Sequence, residues 1–251
     1  MENQTINRRF FCCIFIVIIP LIIISLALGI VFQSSVIVNL MEIIYPRAVI
    51  HFDKYCDRKA VAFTIDDSIT SHTSYLVELL KQYNSTATFC MMGRKVRAFS
   101  SHLKYITEAG NDICNHMFDY DAAIFMTEEQ FKKDLNRTEE IFDEELFVNN
   151  VKKWFRPASF LAKNYMFDVL KEKNYTMLLG NVHSFDSQIR NTKYNLMNLI
   201  GRIHTGDVII VHDISESIEY IEQLLSYLKH ENFEICSVSE MFKRCPMKIP
   251  E

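Results

Sequence analysis

Ala60-Val61-Ala62-Phe63-Thr64-Ile65-Asp66-Asp67 decides how this chain is read. Six residues of apolar, strand-like pattern run directly into two adjacent carboxylates. Comparable runs recur at Ala87–Met92, Asp112–Asn115, Val151–Phe155, Thr176–Gly180, Asp207–Val211 and Phe233–Cys236. Helical patterns separate them, at Ser74–Tyr83, Thr127–Phe147, Tyr165–Lys173, Tyr194–Ile203 and Ser217–His230. Thr127 and Gln130 have the spacing of a capping box at the start of the second of these. Seven strands alternating with helices predict an α/β fold with a parallel sheet covered by helices. An open doubly wound sheet and a barrel both satisfy the pattern, and both gather chemistry at the carboxyl ends of their strands.

That rule selects the polar residues. Asp66 and Asp67 repel each other unless a cation or a proton separates their roles. His116 comes directly after Asp112–Asn115, and His212 directly after the apolar run Val208–Val211. A lone histidine is more often a structural hydrogen-bonding group than a ligand. Two at separate strand ends beside a paired Asp shift the balance toward metal binding or proton transfer. Arg156, between Phe155 and Pro157, can hold a carboxylate by paired hydrogen bonds. Asp186 lies in the loop after the fifth strand, within reach of Arg156 or His212.

The remaining sequence bounds the setting. The 251 residues are 49% hydrophobic and 23% charged with net charge -4, enough apolar material for a core. No basic stretch points to a nucleic-acid partner. Phe10 to Phe32 is almost wholly apolar, long enough to cross a bilayer, and preceded by Arg8 and Arg9. Ala27-Leu28-Gly29 is a poor cleavage site, so the run reads as an uncleaved anchor. The expected organisation is a cytoplasmic tail over 1–9, a transmembrane helix over 10–32, a stem over 33–57 and a domain over 58–245. The domain would then lie on the extracellular or lumenal side. Cys12 and Cys13 fall in the run, and Cys56 and Cys245 flank the domain as the pair best placed for a disulfide. Sequons at Asn84, Asn136 and Asn174 suit that compartment.

In order and spacing, these motifs resemble those of the polysaccharide deacetylases, the NodB-like carbohydrate esterase family 4. Ala62–Asp67 is similar to the first motif, Ala87-Thr88-Phe89 with Gly93 to the second strand, and Asp112–His116 to the second motif. Phe155-Arg156-Pro157, Asp186 and Val211-His212-Asp213 resemble the third, fourth and fifth. Leu178–Val182 with Phe185–Gln188 resembles the chitin-deacetylase-like branch. The resemblance implies a distorted (β/α) barrel of about seven parallel strands and a divalent metal, zinc or cobalt. It implies hydrolysis of N-acetyl groups on a chitin-like polymer of N-acetylglucosamine. Asp66 would be the base, His212 the acid, Arg156 the partner of Asp66, and Asp186 that of His212. Asp67 and His116 would bind the metal, while Phe155, Pro157 and Phe185 would line the substrate groove.

Three positions depart from the family pattern. Tyr120 stands where a second metal-binding His is expected, and a phenol must shed a proton to bind a cation well. Asp119 or Asp121 is an alternative ligand. Ser68 replaces a Gly after the Asp pair. Ala158-Ser159-Phe160 lacks the aromatic-then-glycine pattern. A catalytically inactive carbohydrate-binding or structural protein on the same fold therefore stands beside the enzyme, as does an esterase acting on O-acetyl groups.

Overall fold

The computed structural model describes residues 19–21, 35–53, 56, 58–146, 153–245 and 247. It divides into two compact units, residues 1–44 and 45–251. In the first, α1 (Ser35–Ile44) is a ten-residue helix that exposes Val36, Leu40, Ile43 and Ile44. Apart from the helical residues 19–21, the expected anchor lies outside the described residues, as do the tail, Cys12 and Cys13. No helix among the described residues is long and apolar enough to cross a membrane.

The second unit holds a parallel sheet. Its strands are β1 (Ala48–Val49), β2 (Ala60–Ser68), β3 (Thr88–Met91), β4 (Asp112–Asn115), β5 (Lys153–Phe155), β6 (Tyr175–Leu178), β7 (Val182–His183), β8 (Val208–His212) and β9 (Glu234–Cys236). They run in the order β1-β6-β5-β4-β3-β2-β8-β7, with β9 beside the start of β2. Helices α2 (Thr73–Gln82), α3 (Gly93–Ala98), α4 (Ser100–Glu108), α5 (Glu128–Leu146), α6 (Asn164–Glu172), α7 (Thr192–Leu199), α8 (Ser217–His230) and α9 (Val238–Arg244) connect them.

The strand order requires the sheet to curl. Consecutive strands β6 and β7 stand six places apart in it, which in a flat sheet is about 29 Å at the usual strand spacing. Leu178 and Val182 are four residues apart and can span at most about 14 Å. The link closes the gap through its own amides. Leu179 and Gly180 donate to Val49 O at 2.8 and 3.3 Å, and Asn181 donates to Val208 O at 3.2 Å. Gly180 has φ +87, and a Cβ there would lie 2.7 Å from the Ile210 side chain. The open doubly wound alternative is thereby excluded in favour of a curled, barrel-like sheet.

All seven expected strands are present, although Val151 and Lys152 lie outside the described residues. Two-residue strands β1 and β7 come in addition, too short to leave a pattern. Residues 45–53, expected as stem, instead supply β1 and bury Val49 and Phe52, so the compact unit begins at Tyr45 and not at 58. The capping box forms as expected: Gln130 N–H donates to Thr127 Oγ1 at 3.3 Å, and Thr127 N–H to Gln130 Oε1 at 2.8 Å. Cys56 and Cys245 are bonded, and Asn84, Asn136 and Asn174 are exposed.

Candidate active site

The Asp pair does not come after β2; it is part of the strand. In regular β structure adjacent side chains point to opposite faces. Here the pairing with β3 slips between Ile65 and Ser68, and Asp67 has φ +59, a left-handed conformation that Asp tolerates better than most residues. The bulge brings both carboxylates to one open cavity of ≈ 490 Å³. Pairing of Asp66 with His212 in the β2–β8 ladder brings His212 to the same rim.

Behind Asp66 stands Arg156, which is fully buried. Its Nη1 donates to Asp66 Oδ1 at 2.5 Å and to Thr64 Oγ1 at 2.8 Å, and its Nε donates to Leu178 O at 3.3 Å. Burial by itself would raise the Asp66 carboxyl, but Arg156, then His116 and His212, outweigh it and hold the group below its ordinary value. The Arg156 carbonyl accepts from His116 Nδ1 at 2.8 Å. With its proton on Nδ1, His116 turns the Nε2 lone pair to the carboxylates, 3.7 Å from Asp67 Oδ1 and 4.0 Å from Asp66 Oδ2.

Across the cavity, His212 Nδ1 donates to Asp186 Oδ1 at 2.5 Å. Asp186 also accepts from His212 N at 2.9 Å, Ser217 Oγ at 2.6 Å, Ser184 Oγ at 2.7 Å and the Tyr220 hydroxyl. Burial raises the Asp186 carboxyl, and this set of donors, His212 first, more than reverses it. For His212, burial favours the neutral ring, and the bond to Asp186 overrides it and raises the group above its ordinary value. A carboxylate biased toward ionisation therefore faces an imidazole biased toward protonation.

The remaining predicted residues divide. Pro157 and Tyr120 line the cavity, Tyr120 at 52% exposure near its mouth, with Arg94 and Lys95 each 5.6 Å from its ring. Phe155 does not line it: the side chain is fully buried, edge-on to Phe131 at 5.3 Å, because the strand turns it to the other face. Phe185 stacks behind a lining residue, His183, with ring centroids 4.8 Å apart. Asp119 is engaged by Arg94 at 3.3 Å, and Asp121 lies on a separate surface groove. Phe160 has φ +58, a conformation that explains a glycine in the family pattern at that position. Sequence reading misses His183, Arg190 and Ile214, which also line the cavity; His183 closes the two-residue β7, and only its position at a strand end could mark it.

The donor set can be tested against a divalent cation. Two bonds of about 2 Å at a tetrahedral angle place donor atoms about 3.3 Å apart. The 3.7 Å between His116 Nε2 and Asp67 Oδ1 is within reach of that, and the Nε2 lone pair is correctly presented. Among the described residues no group of three or more His, Cys, Asp or Glu gathers into a metal centre. Asp67 and His116 are spaced to hold a cation as two ligands, and Tyr120 lines the same cavity.

The curled parallel sheet thus carries at its strand ends a carboxylate–guanidinium pair, Asp66 with Arg156, opposite an imidazole–carboxylate pair, His212 with Asp186. The chain belongs to the polysaccharide deacetylase family, whose profile matches residues 53–178. Peptidoglycan-N-acetylglucosamine deacetylase of Bacillus cereus is 24% identical over 200 residues, covering 74% of this chain and 90% of that protein. A bifunctional xylanase/deacetylase of Pseudobutyrivibrio xylanivorans is 23% identical over 191 residues, 74% of this chain and 31% of the relative, so the chain spans about a third of that protein's length. A solved CE4 family pseudoenzyme from Bacillus anthracis superposes with TM-score 0.71 at 19% identity, covering 78% of this chain and 69% of that one. A mutant of it with restored enzymatic activity gives 0.71 at 21%, covering 78% and 71%. These likenesses show the fold.

Proposed function

We propose that the chain is a metal-dependent hydrolase that removes N-acetyl groups from an N-acetylglucosamine polymer or oligomer of the chitin kind. It acts outside the cytoplasm, held by its N-terminal apolar run. The observation that carries this is the opposition across one cavity of two pairs, Asp66 backed by Arg156 and His212 backed by Asp186. Asp66, kept ionised by Arg156, accepts a proton from the attacking water. His212, kept protonated by Asp186, delivers one to the departing amine. Asp67 and His116 would hold a divalent cation, which when bound would supply Lewis-acid polarisation of the acetamide carbonyl. His116 is aimed for that duty by the Arg156 carbonyl, and Pro157 with Ala158–Phe160 forms the wall against which the sugar lies. The N-acetylglucosamine specificity in the Bacillus cereus relative's name supports the substrate class, and Arg8 and Arg9 before the apolar run support the topology.

A second reading is favoured by Tyr120 and by the Ala158–Phe160 segment. It makes the chain a carbohydrate-binding or structural protein that retains the pairs without turnover. The Bacillus anthracis neighbour and its reactivated mutant support it, since on this fold mutation can separate the two states. Acetate release from chitin oligomers by the purified full chain, with metal content measured alongside, decides between them. Under the first reading Asp66→Asn lowers turnover by about a thousandfold and keeps the metal, whereas Asp67→Asn loses the metal. A folded wild type that releases no acetate selects the second. Equal loss of metal in both variants overturns the division of roles.

A further inference from the structure

None of residues 36–44 of α1 is buried, yet its exposed apolar side chains share a face. Val36, Leu40, Ile43 and Ile44 stand at i, i+4, i+7 and i+8, within an arc of about 100° around the helix. Val36 and Ile43 are 71% and 76% exposed. Ile37 and Met41 widen the arc to about 160°. Asn39 and Glu42 fall on the far side, and Glu42 is the one charged residue of the helix. A ten-residue helix is marginal in water by itself, so a face this broad calls for an apolar surface to lie against.

The sequence says which surface is within reach. The apolar run ends at Phe32, three residues before α1 begins at Ser35. Three residues span at most about 11 Å. The headgroup layer on each side of a bilayer is roughly 5–8 Å deep. A chain leaving the hydrocarbon at Phe32 therefore begins α1 in or just above the headgroups. Upright, the helix would carry its apolar face about 15 Å out into water. Lying flat, it sinks that face to the acyl boundary and leaves Asn39 and Glu42 in water. The helix has no Lys or Arg, so the contact is apolar and owes nothing to anionic lipid.

We propose that α1 lies in the plane of a lipid surface, with Val36, Leu40, Ile43 and Ile44 turned into the acyl boundary. The assignment rests on the anchoring of residues 10–32 in the proposed function. The full chain is reconstituted in phosphatidylcholine vesicles, with plain or acyl-brominated lipid, as Leu21→Trp, Asn39→Trp and Ile43→Trp. The native chain has one Trp, the buried Trp154, and supplies the baseline emission. Brominated lipid should lower the added emission about twofold at position 43, with little change at 39. Position 21, inside the apolar run, should be quenched whether or not α1 touches lipid. Quenching at 21 without quenching at 43 overturns the proposal and leaves the anchor standing. Equal quenching at 39 and 43 also overturns it, because the helix would then be immersed on all sides. Absence of quenching at 21 and 43 alike overturns both the proposal and the anchor.

Discussion

On the wall built by β2, β8 and the segments just after β5 and β7, Asp66, Arg156, Asp186 and His212 are buried and tied to one another or to backbone. On the second wall, where the loops after β4 and β5 meet the bulged end of β2, Tyr120 is half exposed, Asp67 meets His116 only at 3.7 Å, and Phe160 holds a left-handed conformation. The first wall is part of the core. Losing a member there strands a charge in a low-dielectric interior, so folding itself guards those residues. No such buried pair guards Tyr120 or Ala158–Phe160, two of the three places where the chain departs from the family pattern; the third, Ser68, is buried at the end of β2. The proposed acid–base pairs and the proposed cation site are thus exposed to different pressures within one cavity.

The sharpest way to break this contrast is to remove one charge from the buried wall. Arg156→Met should cost about 3–5 kcal/mol by leaving Asp66 buried without its partner, whereas Asp67→Asn on the other wall should cost under about 1 kcal/mol. Urea unfolding midpoints of the two variants measure this, and similar costs would show the walls to be equivalent.

A somewhat smaller effect comes from pH. Folding depresses His183 from its ordinary value near 6.5 to about 4, so folding favours its neutral form. Its contribution is complete above pH about 6.5 and is lost as pH falls through about 4, on the order of 3 kcal/mol. His212 acts oppositely, because its raised folded value gives stability at low pH that is lost as pH rises through that value. Unfolding of wild type and His183→Phe across pH 4–7 should therefore give a flatter acid limb in the variant. Superimposable profiles would mean that His183 is not buried neutral.

The smallest effect sharpens the account of the open wall. Tyr120→His restores the imidazole of the family pattern and should tighten zinc binding by about tenfold in a titration at one pH, with little change in unfolding midpoint. Unchanged affinity would mean that position 120 does not face the cation.

Much of the fold and the site is legible in the sequence, because apolar strands ending in polar residues announce themselves. Asp66, His116, Arg156, Asp186 and His212 all stand at or just beyond the end of an apolar run, and all gather at one end of the sheet. The features that escape have local causes. The bulge that turns both Asp side chains one way depends on pairing with β3, and no pattern within Ala60–Asp67 encodes it. Helices α3 and α4, over Gly93–Glu108, escape because each is under ten residues long and buries only two residues, Gly93 and Val96 in one, Leu103 and Ile106 in the other. Adjacency to Arg156 suggests the groove for Phe155, although alternation along a strand sends adjacent side chains to opposite faces. His183 leaves no signal because its strand is two residues long and is paired only once the sheet has curled.

The bond between Cys56 and Cys245 has a mechanical consequence. It joins positions 189 residues apart with Cα atoms 5.6 Å from each other, so the chain between them is a covalent ring. Tension applied between the two flanking segments passes across that single linkage; strands β2 to β9 lie inside the ring and bear none of the load, whereas β1, at Ala48–Val49, lies outside it. A tethered chain could be tugged at its far end without any strand of the cavity being drawn from its register.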